Sequence, residues 1–501
     1  MVEQKLPNNW EEREVLRNKG QFWTPTWVAK AMVEYVIDNS SLLFDPATGN
    51  GAFYDALKES RKRANNDIRF YGTDIDEQVM KEGLAQGIYD LENCRLEVRD
   101  FIINSPLKKF KSIIANPPYI RHHRLDISLK NKLKELSQNI MGFTIDARAG
   151  LHVFFLIQAL SLLDIHGKLA FIMPADTAEG VFAPTLWAWI TKKYCLECVV
   201  SFLPEASPFP KVDTNALIFL IKNDKPRDYI YWAISKKANS DDLERFIESK
   251  LKKSSFKSLD IHKRTLQEAL ATGLSRSPQI GQKTKYILSD FAKVMRGIAT
   301  GANEYFYLTK KRASELGLPQ DCFKVAIGRT RDVEGDVINA ETIKKMEDRD
   351  KPTLLLSLDE RNLREYPDSV REYIKLGEEM GLPERALIQT RKPWFKMEKR
   401  KVPAFFFAYL GRRKARFILN EARVLPLTGF LCVYPKAEDE KYVNELREIL
   451  THPKTINNLK LVAKSYGNGA LKVEPRALER LPIPADIVKR IGIKPIRDTL
   501  F

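Results

Sequence analysis

The segment FKSIIANPPY, residues 110–119, constrains the fold more than any other stretch of the chain. Its apolar first half is strand-like, but Pro117 and Pro118 remove two successive backbone donors, so a sheet ladder must stop at Asn116. The surroundings say which kind of sheet this is. SLLFD reads as a short strand, followed by a turn and a helix in PATGNGAFYDALKESRKRA. IRFYGTDID and LEVRDF are further strands. LHVFFLIQALSLLDIHG reads as a long amphipathic helix closed by glycine, leading into the strand KLAFIMP, and LECVVSFLP and NALIFLIKN complete the set. Strands alternating with helices imply a mainly parallel α/β sheet, whose ligands sit at the carboxyl ends of the strands.

The residues at those strand ends form a series. FDPATGNGAF places Gly49 and Gly51 in a turn after the first strand, where the missing side chains let backbone approach a flat ligand. The turn matches neither GxGxxG nor a phosphate loop with its lysine. Asp45 precedes it, Asp74 ends the second strand where an acid accepts hydrogen bonds from ribose hydroxyls, and Asp100 ends the third, followed by Phe101. Together they describe a nucleoside site without phosphate recognition, which suits S-adenosylmethionine better than NAD or ATP. Asn116 and the Pro117 carbonyl then offer two acceptors to an amino group near a sulfonium methyl, and Tyr119 offers a ring to stack on, worth about 1–3 kcal/mol for a base.

Charge divides the chain. Residues 1–224 carry 27 basic and 28 acidic side chains, and residues 225–501 carry 55 and 37, so the whole surplus of +17 lies in the second half. A basic half suits a polyanion. We expect a catalytic domain at residues 1–225, a helical linker or insert at 226–285 and a recognition domain at 286–501. Cys195 and Cys198 form a lone CxxC that leads into an apolar strand. They read as buried thiols, and with six histidines no zinc or other metal site is expected. The absence of a signal-peptide core and of long apolar runs gives the expectation of a cytoplasmic protein with no membrane partner.

The ordered motifs resemble the γ-type N6-adenine DNA methyltransferases, TaqI-like. GQFWTP (residues 20–25) is similar to their N-terminal cofactor motif, DPATGNGAF to the glycine motif, GTDID to the ribose acid, RDF to the adenine-binding acid and NPPY to the catalytic loop. SPFPKVDTNALIFLIKN is similar to a later strand carrying a second aromatic face. VMRGIATGANEYFYL, RKPWFKMEKRKVPAFFFAYLGRRKARFILNE and SYGNGALKVEPRALERLPIP resemble the TaqI-like specificity domain. The resemblance implies a Rossmann-like class I domain with a mainly parallel seven-stranded sheet, followed by a mixed α+β DNA-recognition domain. It implies Thr24, Asp45, Ala47, Gly49, Gly51, Asp74, Asp100 and Phe101 at the cofactor, and Asn116, Pro117, Pro118 and Tyr119 at the amine, with Phe209 opposite Tyr119. The cofactor is S-adenosylmethionine, leaving as S-adenosylhomocysteine.

The implied reaction is site-specific methylation of adenine N6 in double-stranded DNA, with the base flipped out of the helix. Arg296, Arg391, Trp394, Arg412 and Arg413 are the candidate DNA contacts. About 20 residues precede GQFWTP, too few for a nuclease, and YPDSVREYIK, with Pro367, Asp368, Glu372 and Lys375, reads as a helix start. The expectation is a monomer that modifies without cutting, beside a separately encoded restriction endonuclease. N4-cytosine methylation uses the same acceptor geometry; protein-glutamine and RNA methyltransferases share NPPY, and a non-catalytic DNA-recognition subunit would keep the fold. Gly150 and His152 stand where the family has a polar residue and a tyrosine, which leaves the cap of that helix open. Arg121, His122, His123 and Arg124 have no assigned role.

Overall fold

The computed structural model describes residues 22–37, 40–64, 68–209, 215–252, 255–276, 285–359, 361–408, 415–466 and 470–496. Arg412 and Arg413 lie outside the described residues. The chain divides into two compact units, residues 1–278 with 466–469, and residues 279–465 with 470–501.

The first unit is built on one sheet. Its strands are β1 (Leu42–Asp45), β2 (Arg69–Asp74), β3 (Cys94–Val98), β4 (Phe110–Ala115), β5 (Leu163–Pro174), β6 (Cys195–Phe202), β7 (Ala216–Lys222), β8 (Tyr229–Ser235) and β9 (Leu259–Thr265). Their order is β3-β2-β1-β4-β5-β7-β6-β8-β9. The pairs from β3 to β5 are parallel, while β7 lies antiparallel to both β5 and β6. The run from β3 to β6 contains the seven expected strands. Apart from Lys111, every residue of β4 is buried, as a central parallel strand with both faces covered must be. Chain order reverses between β1 and β4, so the crevice at this switch point opens beside Asp45 and Asn116.

Two expectations are corrected. Residues 226–285 were expected as a helical linker, yet β8 pairs parallel with β6 and β9 antiparallel with β8, extending the sheet to nine strands among the described residues. The reason is the apolar pattern of YIYWAIS, which buries Ile230, Trp232 and Ala233; the intervening helix Asp242–Glu248 packs on helix Thr26–Val36. Likewise, the helix expected to end at Gly167 runs only from Leu151 to Leu162. Leu163 is captured by pairing with Phe110, and the register shift that follows loops residues 164–167 out, with His166 at φ 60°. Rather than amphipathic, this helix is buried on all sides, as its continuous apolar sequence requires. Cys195 and Cys198 are free, buried strand thiols. No helix among the described residues is long and apolar enough to cross a membrane, and no group of side chains among them could hold a metal.

The second unit is mixed α+β. One sheet has Ala292–Arg296, Phe430–Pro435, Phe405–Ala408, Arg416–Asn420 and Val337–Ile338 in that order; a second joins Tyr307–Leu308, Leu354–Leu356, Phe323–Ile327 and Leu425–Pro426. The run of three phenylalanines shows why a two-sided sheet forms. Phe405 and Phe407 enter one core and Phe406 the other, by strand alternation. Asp368 opens a helix that continues to Glu379.

Candidate active site at the strand ends

The glycine turn is built around hydrogen bonds to its neighbours. Asp45 ends β1 with its carboxylate fully buried; Oδ1 accepts the Ala47 N–H at 3.0 Å, while Oδ2 has no hydrogen-bond partner among the described residues. Burial pushes this carboxyl well above its ordinary pKa. Gly49 (φ 53°) and Gly51 (φ 95°) both adopt the left-handed region that favours glycine. A Cβ on Gly49 would meet no atom within 4 Å, whereas one on Gly51 would lie 2.8 Å from the Tyr89 ring. Tyr89, which the motif pattern did not single out, braces the turn through its hydroxyl on Thr48 Oγ1 and the Gly49 carbonyl, each at 2.9 Å.

The second strand end is tied to this turn. Asp74 Oδ2 accepts the Gly49 N–H at 2.8 Å and Oδ1 accepts the Asp76 N–H at 2.9 Å. Burial raises the Asp74 pKa, with these backbone donors acting in the opposite sense. Ile75 follows directly and is 69% exposed, an apolar face beside the acid that sequence reasoning missed. Its signal was visible in GTDID, as an isoleucine between two acids. Past β3, Asp100 Oδ1 accepts the N–H groups of Ile102 and Ile103 at 2.9 and 3.1 Å. Phe101, expected at the cofactor, is instead a core residue, 2% exposed and packed against Phe44 and Phe155.

Asn116 is clamped across the sheet end. Its Nδ2 donates to the Phe22 carbonyl at 2.5 Å and to Thr24 Oγ1 at 3.1 Å. A carbonyl oxygen can only accept, so the amide orientation is fixed. Oδ1 therefore points away as an acceptor, and among the described residues no donor meets it or the Pro117 carbonyl. Thr24, expected at the cofactor, thus spends its hydroxyl on holding Asn116. Pro118 accepts the Ile120 N–H at 3.0 Å, which shapes the turn.

Tyr119 is anchored by its hydroxyl, which donates to the Ile172 carbonyl of β5 at 3.1 Å. Phe209 is brought to the same place, but not face to face. The two ring centroids are 6.2 Å apart with planes at 85°. Phe22 touches both, at 5.6 Å from Tyr119 and 5.9 Å from Phe209. Three rings in mutual contact adopt tilted and edge-to-face angles because these match the quadrupoles of their π-systems. Phe22 is a third residue missed from sequence, after Tyr89 and Ile75; its place two positions before Thr24 in GQFWTP was the available signal.

The helix Leu151–Leu162 starts without a side-chain cap at Gly150. The Ile120 carbonyl supplies the missing acceptor, taking the Leu151 N–H at 2.9 Å. A helix end can be satisfied by such a neighbour as well as by a cap.

In the second unit the candidate DNA contacts are engaged within the protein. Arg391 Nη2 donates to the Ala299 and Thr300 carbonyls at 2.6 and 2.8 Å, and its guanidinium lies over the Phe306 ring. Trp394 packs with Tyr305 and Phe306, its Nε1 donating to Glu378 at 3.3 Å. Arg296 pairs with Glu474 but stays 63% exposed.

Comparison with known proteins follows this two-unit arrangement. A family described as N-6 DNA Methylase matches residues 9–267, and one described as Type II methyltransferase M.Eco57I, C-terminal domain, matches residues 275–499. The chain is 26% identical over 480 residues to Type II methyltransferase M.AccI of Acinetobacter calcoaceticus, covering 92% of this chain and 84% of that protein. The Type IIL restriction-modification enzyme MmeI, solved in complex with DNA, superposes with a TM-score of 0.52 at 13% identity, covering 96% of this chain and 72% of that one. The chain spans 61% of the type IIG restriction endonuclease BpuSI, at 16% identity and a TM-score of 0.44.

Proposed function

The chain belongs to the N-6 DNA Methylase family, and from that premise we propose that it methylates the N6 amino group of a flipped-out adenine in duplex DNA, using S-adenosylmethionine. The observation that carries this is the Asn116 clamp: an amide whose donors are consumed at Phe22 and Thr24, presenting a bare acceptor at the end of β4.

The cofactor fits the residues opposite. Asp45 Oδ2 is a buried, unpartnered acceptor at the switch point, and the open side of Gly49 lets backbone meet a flat ligand. Asp45, Ala47, Gly49, Gly51, Asp74 and Asp100 would hold S-adenosylmethionine, with Ile75 against its ring. When bound, it supplies an electrophilic methyl group on a sulfonium. Asn116 Oδ1 and the Pro117 carbonyl accept the two amino hydrogens, which directs the nitrogen lone pair at the methyl carbon and stabilises positive charge developing on nitrogen. Pro118 keeps the turn rigid. No strong base is required, and the proton leaves the methylated nitrogen for water.

Entry of the base requires Phe22 and Phe209 to part from Tyr119, so that stacking on the ring faces replaces edge contacts and offsets the few kcal/mol of unstacking. The basic second unit suits the DNA, consistent with a monomeric, cytoplasmic modification enzyme whose restriction counterpart is a separate protein. Incubation with methyl-labelled S-adenosylmethionine and unmethylated duplex DNA, followed by nucleoside analysis, is expected to give N6-methyladenine. Label confined to cytosine, RNA or protein would refute the assignment.

A further inference from the structure

His152 stands where the family carries tyrosine, and its surroundings are unusual. The imidazole is 1% exposed, neither ring nitrogen makes a hydrogen bond among the described residues, and Nε2 stands 3.5 Å from Asp176 Oδ1, at ion-pair distance. Its ring meets Tyr119 edge-to-face, centroids 6.1 Å apart at 70°. Gly150 is part of the same arrangement. A Cβ there would lie 2.7 Å from His152 Cε1 and 2.9 Å from the Ile120 carbonyl, so the space of a side chain at 150 is taken by the imidazole. The two departures from the family pattern are therefore one structural change.

Asp176 follows β5, on whose Ile172 carbonyl the Tyr119 hydroxyl rests. Its side chain is 55% exposed, and Arg121, just past Tyr119, is the other charged group acting on it. Burial first and the Asp176 charge second push the Tyr119 phenol well above its ordinary pKa, which keeps it a neutral donor to Ile172. Tyr119 is thus held at two points: its hydroxyl by β5 and its ring by His152.

We propose that His152 and Asp176 form a positioning pair that fixes the plane of Tyr119 for stacking on the target base. Asp176 orients the imidazole, the imidazole abuts the Tyr119 ring, and neither touches the reacting atoms. The role rests on the function proposed above for Asn116 and Tyr119. Two side chains that act through one contact carry their effect as a unit, so removal of either member removes the whole of it.

The test is a double-mutant cycle in the full chain with His152→Gln, Asp176→Asn and both together. Asp176→Asn alters a half-exposed side chain and leaves the fold intact even where His152→Gln does not. Turnover is read with methyl-labelled S-adenosylmethionine on unmethylated bacterial genomic DNA, together with KM for each substrate and the thermal midpoint. The expected result is an approximately tenfold fall in kcat for each single variant, no further fall in the double, KM for S-adenosylmethionine within twofold of the parent, and rescue by Asp176→Glu. Single variants within twofold of the parent kcat, or a double variant whose loss is the product of the two, would overturn the pair. A parent chain that labels no DNA refutes the proposed function instead; the pair is then decided by the thermal midpoints, where non-additive shifts support it and additive shifts overturn it.

Discussion

Asn116 in the first unit and Arg391 in the second both donate to backbone carbonyls, yet the two bonds leave opposite things behind. Asn116 gives its NH2 to Phe22 and Thr24 and keeps an unspent acceptor. Arg391 gives its guanidinium to Ala299 and Thr300 and has no acceptor to keep. The same contrast holds around each. In the first unit Asp45 Oδ2 and the Pro117 carbonyl meet no donor among the described residues, whereas Trp394 and Arg296 are paired with Glu378 and Glu474. What is left over differs in kind: Asn116 keeps an acceptor, whereas Arg391 keeps only donor capacity, its Nη1 buried and meeting no hydrogen-bond partner among the described residues. A polar residue in a motif is therefore a site candidate only once its remaining valences are counted.

The largest effect should come from removing the spare acceptor. Asn116→Ala is expected to lower kcat by about 10³-fold, at the upper end of the loss seen when one preorganised polar group is deleted at a reacting centre. Affinity for S-adenosylmethionine, measured by titration calorimetry, should stay within twofold. A variant that keeps its turnover would remove Asn116 from the chemistry and erase the contrast.

The glycine turn gives the next effect, in binding rather than turnover. Gly51→Ala places a Cβ at φ 95° and 2.8 Å from the Tyr89 ring. Left-handed strain and overpacking together cost about 2–4 kcal/mol, and the Tyr89 brace must shift to relieve them. Affinity for S-adenosylmethionine should fall on the order of 10²-fold, with calorimetry again the measurement. Unchanged affinity would show that the turn does not carry the cofactor.

These two residues were legible in the sequence because their chemistry lies in local order: a strand, then a special residue at its end. Asp45, Asp74, Asp100 and Asn116 occupy strand ends for that reason, and the switch point collects them. Phe22, Tyr89 and Ile75 were not singled out, because their roles depend on what folds against them across 40 to 187 residues of chain or on exposure, which local order does not encode. The packing of Phe101 against Phe44 and Phe155 was not legible either, because adjacency to Asp100 does not say which way a ring packs. β8 was missed because charged flanks on both sides of YIYWAIS masked an alternation of buried positions. The arginines of the second unit show the limit most plainly, since the sequence counts charges and not their partners.

Arg391 tests that limit from the side of stability. Arg391→Ala leaves two loop carbonyls without their donor and removes a cation from the Phe306 face. The expected cost is about 1–3 kcal/mol, read as a lower thermal midpoint. The salt dependence of DNA binding should not change, because no phosphate contact is lost. A flattened salt dependence with unchanged melting would return Arg391 to the DNA interface.

Arg296 should show the smallest effect and the opposite signature. Arg296 is the exposed member of its pair with Glu474, and pairs with an exposed member contribute only about 0–1 kcal/mol, so Arg296→Ala should barely move the thermal midpoint. A guanidinium this exposed can exchange Glu474 for a phosphate at little cost. If it does, the slope of log affinity against log salt becomes shallower by about one unit in the variant, the signature of one lost phosphate contact. The measurement is a set of DNA-binding isotherms at several salt concentrations for parent and variant. Parallel lines would mean that Arg296, like Arg391, is spent within the protein, and that the second unit meets DNA through other basic side chains.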